Sequence, residues 1–264
     1  MKQRILRSLR TVGLLNAAER ANFLFVNRKQ RRKNVLFGQA NPGFVVPPEA
    51  LAYDAYSWLD WENYRKSGTD TAALLSQIAS RHLTQNHTLK VLEWGCGPAR
   101  VIRHISAAFE AKTEVYGSDY NEDTIKWCSK SIPGVNFTLN GLEPPLTFDS
   151  GFFDFVYSIS VFTHLSESVS RAWIEELIRV THSGSILVVT MQGDAYLEKL
   201  LPDEVEVYRS RGIVLRGNVT EGSRIFSAFH SKEYLTTELF RNLEVVEFIP
   251  SPNLGQDIWV LRKP

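Results

Sequence analysis

The pattern of apolar and polar positions predicts a chain in which strands and helices alternate. Short apolar runs of strand length are followed by segments whose apolar residues recur at helical spacing. The predicted strands are 90–93, 114–118, 135–139, 153–159, 185–190, 243–249 and 257–261. The predicted helices are 69–83, 98–109, 121–131, 166–181 and 231–241, and a less regular stretch runs from 193 to about 221. This alternation is typical of an α/β fold.

The end of the pattern differs from the rest. Only residues 250–256 separate the last two predicted strands, which is too short for a helical crossover and allows antiparallel pairing. We therefore expect a Rossmann-like, doubly wound, mostly parallel sheet of seven strands with an antiparallel C-terminal hairpin. A basic helical N-terminal extension is expected to precede this sheet.

Composition narrows the class of protein. The chain has 264 residues, of which 44% are hydrophobic and 22% charged, as in an ordinary globular protein. Its two cysteines, Cys96 and Cys128, are too few for a disulfide framework or for a metal site with three cysteine ligands. The sequence also lacks an HExxH motif, which would indicate a zinc site. Arg7 and Arg10 interrupt what would be the apolar region of a signal peptide. We therefore expect a cytoplasmic protein without a metal.

The charges are unevenly distributed. Residues 1–37 contain ten Lys or Arg residues and one acid, Glu19, although the net charge of the chain is only +1. Apolar residues at helical spacing lie among these cations, in a set that comprises Ile5, Leu6, Leu9, Val12 and Phe23 to Val26. The pattern predicts one or two short basic amphipathic helices. Such helices suit an anionic membrane surface, a nucleic acid or packing on the body, and the apolar run 23–26 favours membrane or packing.

The clearest candidate for a binding site follows the first predicted strand. Gly95 and Gly97 form a Gly-x-Gly turn, in which the backbone can approach a ligand closely, and Pro98 suits the first position of a helix. A parallel sheet binds nucleotide-like ligands at such a turn. About 20 residues later the second strand ends in Asp119, whose carboxylate can accept two hydrogen bonds from a ribose diol or cap the next helix.

Three segments together resemble the class I S-adenosylmethionine-dependent methyltransferases. The first is Glu93-x-Gly95-Cys96-Gly97, and the second is Gly117-Ser118-Asp119. The third, residues 153–165, is similar to the fourth strand and following loop of that family. The resemblance covers roughly residues 88–192. The whole chain also looks like members associated with bacterial polysaccharide biosynthesis.

The resemblance implies S-adenosylmethionine as the cofactor and a set of residues that bind it. By position these are Tyr64, Glu93, Gly95, Cys96, Gly97, Arg100, Asp119, Tyr120, Asn140, Gly141, Leu142 and Ser158. The glycine turn and Ser158 would contact the methionine part, Glu93 its amino group and Asp119 the ribose. Tyr120 and residues 140–142 would flank the adenine.

Two positions depart from the common form of the family. Asn140 stands where Asp is frequent, and an amide can still donate to or accept from adenine. Arg100 stands where Gly is frequent, and its side chain is expected either to reach the cofactor carboxylate or to lie in solvent. Arg100 and Glu93 also make a dehydrogenase unfavourable, because the dinucleotide motif needs a third glycine.

The chain-breaking prolines and the resemblance together predict a domain division. Residues 1–48 would form the basic amphipathic arm, ended by Pro47-Pro48, and residues 49–264 the methyltransferase domain. Within that domain, 49–88 would be an aromatic-rich helical cap and 89–192 the cofactor-binding core. Residues 193–264 would supply a substrate-side insertion and the C-terminal hairpin.

Motifs of related enzymes that are missing here argue against nucleic-acid acceptors. The segment after the fourth strand reads Ser158-Ile159-Ser160-Val161, without the Pro-Pro-aromatic motif of enzymes that methylate amino groups of nucleic acids. Enzymes that methylate cytosine at carbon use a cysteine nucleophile that follows a proline, and neither cysteine here follows a proline. We expect a small hydroxylated acceptor such as a sugar, with His164 as the general base and Asp194, His230 and Tyr64 as rivals. The alternatives are an RNA-directed methyltransferase that uses the basic arm, and a catalytically inactive cofactor-binding partner subunit.

Overall fold

The computed structural model describes residues 7–8, 10, 13–84, 86–250 and 255–264. The apolar positions Ile5, Leu6, Leu9 and Val12 of the arm lie outside the described residues, as does most of the link before the last strand. Among the described residues, no helix is both long and apolar enough to cross a membrane.

A seven-stranded sheet forms the centre of the protein, and a two-stranded hairpin lies beside it. The strands are β1 (Leu89–Trp94), β2 (Thr113–Asp119), β3 (Val135–Leu139), β4 (Phe153–Ser158), β5 (Thr181–Met191), β6 (Ile213–Arg216), β7 (Ser227–His230), β8 (Glu244–Ile249) and β9 (Asp257–Arg262). The order across the sheet is β3-β2-β1-β4-β5-β9-β8, and β6 pairs with β7.

The predicted topology is confirmed. Strands β1 to β5 pair in parallel, whereas β9 runs antiparallel to both β5 and β8. The chain builds one half of the sheet with β1 to β3 and then returns to add β4 beside β1, so the strand order reverses between β1 and β4. In doubly wound sheets this reversal opens a crevice at the carboxyl ends of the strands.

Helices cover both faces of the sheet. They are α1 (Leu15–Ala40), α2 (Glu49–Tyr56), α3 (Trp61–His82), α4 (Ile105–Ala108), α5 (Glu122–Ser131), α6 (Glu167–Val180), α7 (Pro202–Arg211) and α8 (Lys232–Tyr234). Strand β5 shows why two layers are needed: Leu187 and Val189 join the core on one face, and Ile186 and Val188 join the core on the other.

Two predicted helices are not continuous helices in the structure. Residues 98–109 hold only a 3₁₀ turn, Ile102–His104, and the short α4, because Gly97 and Ala99 have positive φ angles of 49° and 57° that a right-handed helix cannot continue. Residues 231–241 divide into α8 and a π-helical turn, Leu235–Leu239. The stretch predicted as irregular contains α7 and β6, neither of which was predicted.

Most of the N-terminal arm forms a long helix, Leu15–Ala40, where one or two short helices were predicted. Its inner side packs on the body, where Leu15 and Phe37 are buried. The Asn34 side chain donates to the carbonyl of Leu59 at 3.0 Å, and Lys33 forms an ion pair with Asp60 at 2.7 Å. Asp60 also caps α3, which explains why this helix begins at Trp61, earlier than predicted. The division of the chain after residue 48 stays a prediction.

Candidate functional site

A cavity of about 490 Å³ lies at the carboxyl ends of β1, β2, β3 and β4, where the strand order reverses. The loops after these strands form its floor. Helix α2 and the two residues that follow it form its opposite wall. The cavity therefore occupies the place where a parallel sheet of this topology binds its ligand.

Most of the predicted site residues come together in this cavity. The predicted residues that line it are Glu93, Gly95, Cys96, Gly97, Arg100, Asp119, Tyr120, Asn140, Gly141, Leu142 and His164. The two exceptions among the predicted cofactor residues are Tyr64 and Ser158, neither of which is part of the cavity wall.

Tyr64 and Ser158 are buried beneath the cavity. Tyr64 has no exposed surface, and its hydroxyl donates to the carbonyl of Pro98. It therefore supports the glycine turn from behind. Ser158 ends β4 inside the sheet, where its hydroxyl has no hydrogen-bond partner in the part of the chain that the structure describes. For these two residues the structure does not show the predicted position at the ligand.

The glycine turn is held by β2. The amides of Gly95 and Cys96 both donate to the carbonyl of Ser118, at 2.8 and 2.9 Å. Gly95 has a φ of 76°, and a Cβ atom there would lie 2.2 Å from the Val161 side chain. Only glycine fits this backbone, because it tolerates the left-handed conformation and leaves the space free.

Alanine at position 95 is expected to destabilise the fold more than alanine at position 134. Gly134 has a similar φ of 78° but no neighbour within 4 Å of an added Cβ, so Gly134→Ala should cost only the backbone term of about 1–2 kcal/mol. Gly95→Ala adds the clash with Val161. Urea denaturation measures both free energies of unfolding, and equal losses would contradict the observed packing of the turn.

Asp119 connects the turn to the next helix. One carboxylate oxygen accepts from the amide of Gly97 at 2.8 Å, and the other accepts from the amide of Asn121 at 2.9 Å. Burial raises the pKa of this carboxyl above its ordinary value. Asn121, rather than Asp119, caps α5, since its side chain accepts from the amide of Thr124. Each oxygen of Asp119 keeps a lone pair for a further donor.

Glu93 is a buried carboxyl group at the end of β1. It accepts a hydrogen bond from the hydroxyl of Tyr157 at 2.9 Å. Burial raises the pKa of Glu93 from 4.5 to about 8, because the charged form loses its hydration. Glu93 is therefore mostly protonated at neutral pH when the cavity is empty, and a cation in the cavity would favour its ionised form.

Arg100 lies in the cavity wall rather than on a solvated helix face. Its guanidinium donates to the hydroxyl of Ser67 at 3.3 Å and lies 5.5 Å from the centre of the Tyr56 ring. Its Nε atom is buried and has no partner among the described residues. The wall thus carries a positive charge with an unused hydrogen-bond donor.

The far end of the cavity carries an unused acceptor. The side-chain nitrogen of Asn140 donates to the carbonyl of Gly141 at 2.6 Å, while its Oδ1 atom is buried and unpartnered within the described chain. Tyr120 lies nearby in the wall and donates through its hydroxyl to the carbonyl of Gly222 at 3.2 Å. A ligand with an amino group would satisfy Asn140, because a buried acceptor without a partner is costly.

His164 is oriented by the loop between β6 and β7. Its Nδ1 atom lies 2.7 Å from the carbonyl oxygen of Phe226, so that this nitrogen must donate. In the neutral ring the lone pair is then on Nε2. Burial lowers the pKa of His164, which keeps the ring neutral at neutral pH. His164 is thus a cavity side chain in the state that accepts a proton.

The rival bases lie elsewhere. His230 is buried in the core, stacked on Tyr234, with neither ring nitrogen partnered among the described residues. Burial lowers its pKa to about 4. Asp194 accepts from the hydroxyl of Tyr208 at 2.8 Å. Neither residue lines the cavity, and Tyr64 is buried behind the turn.

Sequence reasoning missed several residues of the wall. Leu51, Asp54, Ala55 and Tyr56 come from α2, a segment for which the aromatic pattern only suggested a cap. Arg224, from the loop between β6 and β7, also lines the cavity and donates to the carbonyl of Tyr53 at 3.1 Å. No local motif marks Arg224, because its position depends on contacts with α1 and α2.

The comparisons with known proteins agree with this geometry. Residues 91–184 match a family described as a methyltransferase domain. No curated protein matches the chain.

Solved structures share the fold. An S-adenosylmethionine-dependent methyltransferase from Methanosarcina mazei is 18% identical, with a TM-score of 0.55 over 70% of this chain and 96% of that one. Streptomyces venezuelae DesVI is 17% identical, with a TM-score of 0.55 over 84% of this chain and 100% of that one. A glycopeptide N-methyltransferase, MtfA, solved with S-adenosylhomocysteine, is 13% identical, with a TM-score of 0.53 over 73% and 90%.

The family match covers the strands and loops that build the cavity, from β1 to the start of β5. The sheet order and the glycine turn at the strand ends are those expected of class I enzymes. Residues 91–184 are therefore similar to a methyltransferase domain, and the chain has the fold of S-adenosylmethionine-dependent methyltransferases.

Proposed function

We propose that this enzyme transfers a methyl group to a hydroxyl of a small acceptor, a sugar or a similar metabolite. The observation that carries the proposal is His164, which lines the cofactor cavity with Nδ1 bound to a carbonyl and Nε2 left to accept a proton. A hydroxyl is a poor nucleophile until its proton is removed, and a positioned base contributes about 10²–10⁴-fold.

The residues present fit the cofactor at several points of the cavity. Asp119 has lone pairs for the two ribose hydroxyls, and Asn140 Oδ1 is an unpartnered acceptor for the adenine amino group. Glu93 would hold the methionine ammonium, and the unused Nε of Arg100 would meet the carboxylate.

The remaining contacts of the proposed set are apolar or come from the backbone. Gly95, Cys96 and Gly97 would lie under the methionine part, and Tyr120, Gly141 and Leu142 would border the adenine. We leave Tyr64 and Ser158 out of this set, because the structure places both behind the wall.

The residues of the chain then orient the cofactor and accept the proton of the acceptor hydroxyl. When bound, S-adenosylmethionine supplies a methyl group on a positively charged sulfur, which is already a good leaving group. The cavity wall orients it, which contributes up to roughly 7–11 kcal/mol in favourable cases. His164 Nε2 takes the hydroxyl proton as the acceptor oxygen approaches, and its Nδ1 stays bound to Phe226.

A second cavity supports a polar acceptor. It has a volume of about 740 Å³, and Arg224 lines both cavities. Gln192, which directly follows β5, presents a buried and unpartnered side-chain oxygen to this second space within the described residues. Lys199 and Arg211 line it as well. Glu19, Glu167, Asp203 and Glu204 line it too, so the wall offers both donors and acceptors to a hydroxyl-rich molecule.

The proposal extends to the setting of the reaction. The whole-chain resemblance described above supports a setting in bacterial polysaccharide biosynthesis. Two buried free cysteines fit the reducing cytoplasm. We propose that the enzyme works there, at the inner surface of a membrane.

Glu93 gives a pH signature for cofactor binding. Its pKa of about 8 in the empty cavity should fall when the ligand ammonium is bound, so that binding at pH 7 releases a proton. Affinity should therefore rise with pH up to about 8 and then level off. Titration of S-adenosylhomocysteine by calorimetry in buffers of different ionisation enthalpy measures the release, which Glu93→Gln should abolish. Binding heats that do not depend on the buffer would exclude this role.

An acceptor screen tests the function. The wild-type enzyme is incubated with S-adenosylmethionine and with sugars, sugar nucleotides, phenols, amines or RNA, and S-adenosylhomocysteine release is measured. We expect release with a hydroxylated small molecule. Release with RNA or amines alone would contradict the proposal. Tight cofactor binding without release from any acceptor would favour the inactive partner subunit.

A further inference from the structure

Helix α1 has an outer side that packs against nothing in the described chain. Its inner side is fixed, since Phe37 is buried and Asn22 donates to the Tyr53 hydroxyl at 2.7 Å. The outer face consists of Leu24, Phe25, Arg28, Arg32, Val35 and Leu36, which fall within roughly one third of the circumference at 3.6 residues per turn.

Four large apolar side chains on this outer face are exposed to solvent. The exposed fractions are 68% for Leu24, 66% for Phe25, 53% for Val35 and 56% for Leu36. Single exposed apolar residues are common, but a cluster of this kind on one helix marks an interaction surface.

The same face and its borders are strongly basic. Arg28, Lys29, Arg31 and Arg32 are all exposed, and none has an acidic partner among the described residues. The one acid of α1, Glu19, lies on the inner side and pairs with Arg224. The outer face therefore attracts anions without an internal counter-charge.

The combination of exposed apolar and basic side chains on this face favours one kind of partner. A nucleic acid would use the cations but gain little from Leu24, Phe25 and Leu36, because its outer surface is phosphate and sugar. The interface of an anionic bilayer takes both: apolar side chains enter the acyl boundary while arginine and lysine reach the head groups.

We propose that the outer face of α1 docks on a membrane that contains anionic lipid, with the helix axis parallel to the surface. This gives the proposed location of the enzyme a structural basis. It does not depend on the acceptor, because the cofactor cavity lies on other elements. Since α1 contacts α2, which forms a cavity wall, docking holds that wall close to the membrane.

Vesicle sedimentation with the full chain tests the proposal. Vesicles of phosphatidylcholine and phosphatidylglycerol in equal amounts should bind the protein, and vesicles of phosphatidylcholine alone should bind it at least tenfold more weakly. High salt should weaken binding, because it screens the charges.

Two double variants test the apolar and the basic residues of the outer face separately. Leu24→Ser/Phe25→Ser and Arg28→Gln/Arg32→Gln should each reduce binding to the mixed vesicles at least tenfold. The control Val207→Ser/Val245→Ser removes apolar residues that are exposed elsewhere and should bind like the wild type. All variants should bind S-adenosylhomocysteine normally, which separates this proposal from the one on function.

Three outcomes would overturn the proposal. The first is no binding of the wild type to mixed vesicles. The second is undiminished binding of Leu24→Ser/Phe25→Ser, which would show that charge alone is responsible. The third is binding of an RNA oligonucleotide that competes with the vesicles and does not depend on the apolar pair.

Discussion

Replacement of His164 by alanine should lower the turnover number by about 10²–10⁴-fold while leaving the affinity for S-adenosylhomocysteine nearly unchanged. The reason is that His164 lines the cavity with Nε2 as its free proton acceptor, whereas Glu93, Asp119 and Asn140 supply the proposed cofactor contacts. Single-turnover rates with an acceptor from the screen, together with calorimetry, measure the two quantities separately.

The pH profile provides a second readout for His164. Its pKa lies below the ordinary value because burial disfavours the charged ring. Turnover should therefore be constant at neutral pH and fall only as acid protonates Nε2 at a pH below about 6.5. His164→Gln should restore nothing, since an amide takes no proton.

Controls for His164 come from the rival bases. Asp194→Asn and His230→Phe alter residues outside the cavity and should leave turnover near that of the wild type. A loss of cofactor affinity in His164→Ala as large as its loss of turnover would show a structural residue instead. Normal turnover of His164→Ala would remove the base from the mechanism.

Asp119→Ala should weaken the binding of S-adenosylhomocysteine by about 100-fold or more. Each ribose hydrogen bond to this carboxylate is worth roughly 1.5–3 kcal/mol, and two are lost. The amides of Gly97 and Asn121 also lose their acceptor, which loosens the turn. Asp119→Asn keeps one oxygen, so its affinity should lie between that of Asp119→Ala and that of the wild type.

The matched control is Asp154, a second buried carboxylate at the opposite end of the sheet. It accepts from the amide of Lys90 at 2.7 Å and lies outside the cavity. Asp154→Asn should reduce stability but leave ligand affinity unchanged, as urea denaturation and calorimetry can show. Equal affinities of Asp119→Ala and the wild type would exclude Asp119 as the ribose ligand.

The central sheet could be predicted because its signal is local. Strand β5 alternates between two buried faces, which requires an apolar residue at every position from Ile186 to Val189. The hairpin of β6 and β7 gives no such signal: each strand has four residues, and the loop between them is held by distant groups. Arg10 donates to the carbonyls of Arg216 and Ile225, at 2.7 Å each.

The candidate site likewise contains residues that could be predicted from the sequence and residues that could not. Gly95, Gly97 and Asp119 could be predicted, because a turn with positive φ and a carboxylate at a strand end follow from local chemistry. Tyr64 and Ser158 could not be placed, since a pattern does not show whether a ring or hydroxyl faces the cavity or the interior. Tyr56 and Arg224 reach the site from remote segments, and only the folded chain brings them there.

A crystal structure of the complex with S-adenosylhomocysteine is the most direct test of this account. We predict that Asp119 holds the ribose hydroxyls, Glu93 the amino group and Asn140 Oδ1 the adenine amino group, with the sulfur facing the side of the cavity that carries His164. A ligand bound outside this cavity, or a sulfur turned away from His164, would contradict the proposed mechanism.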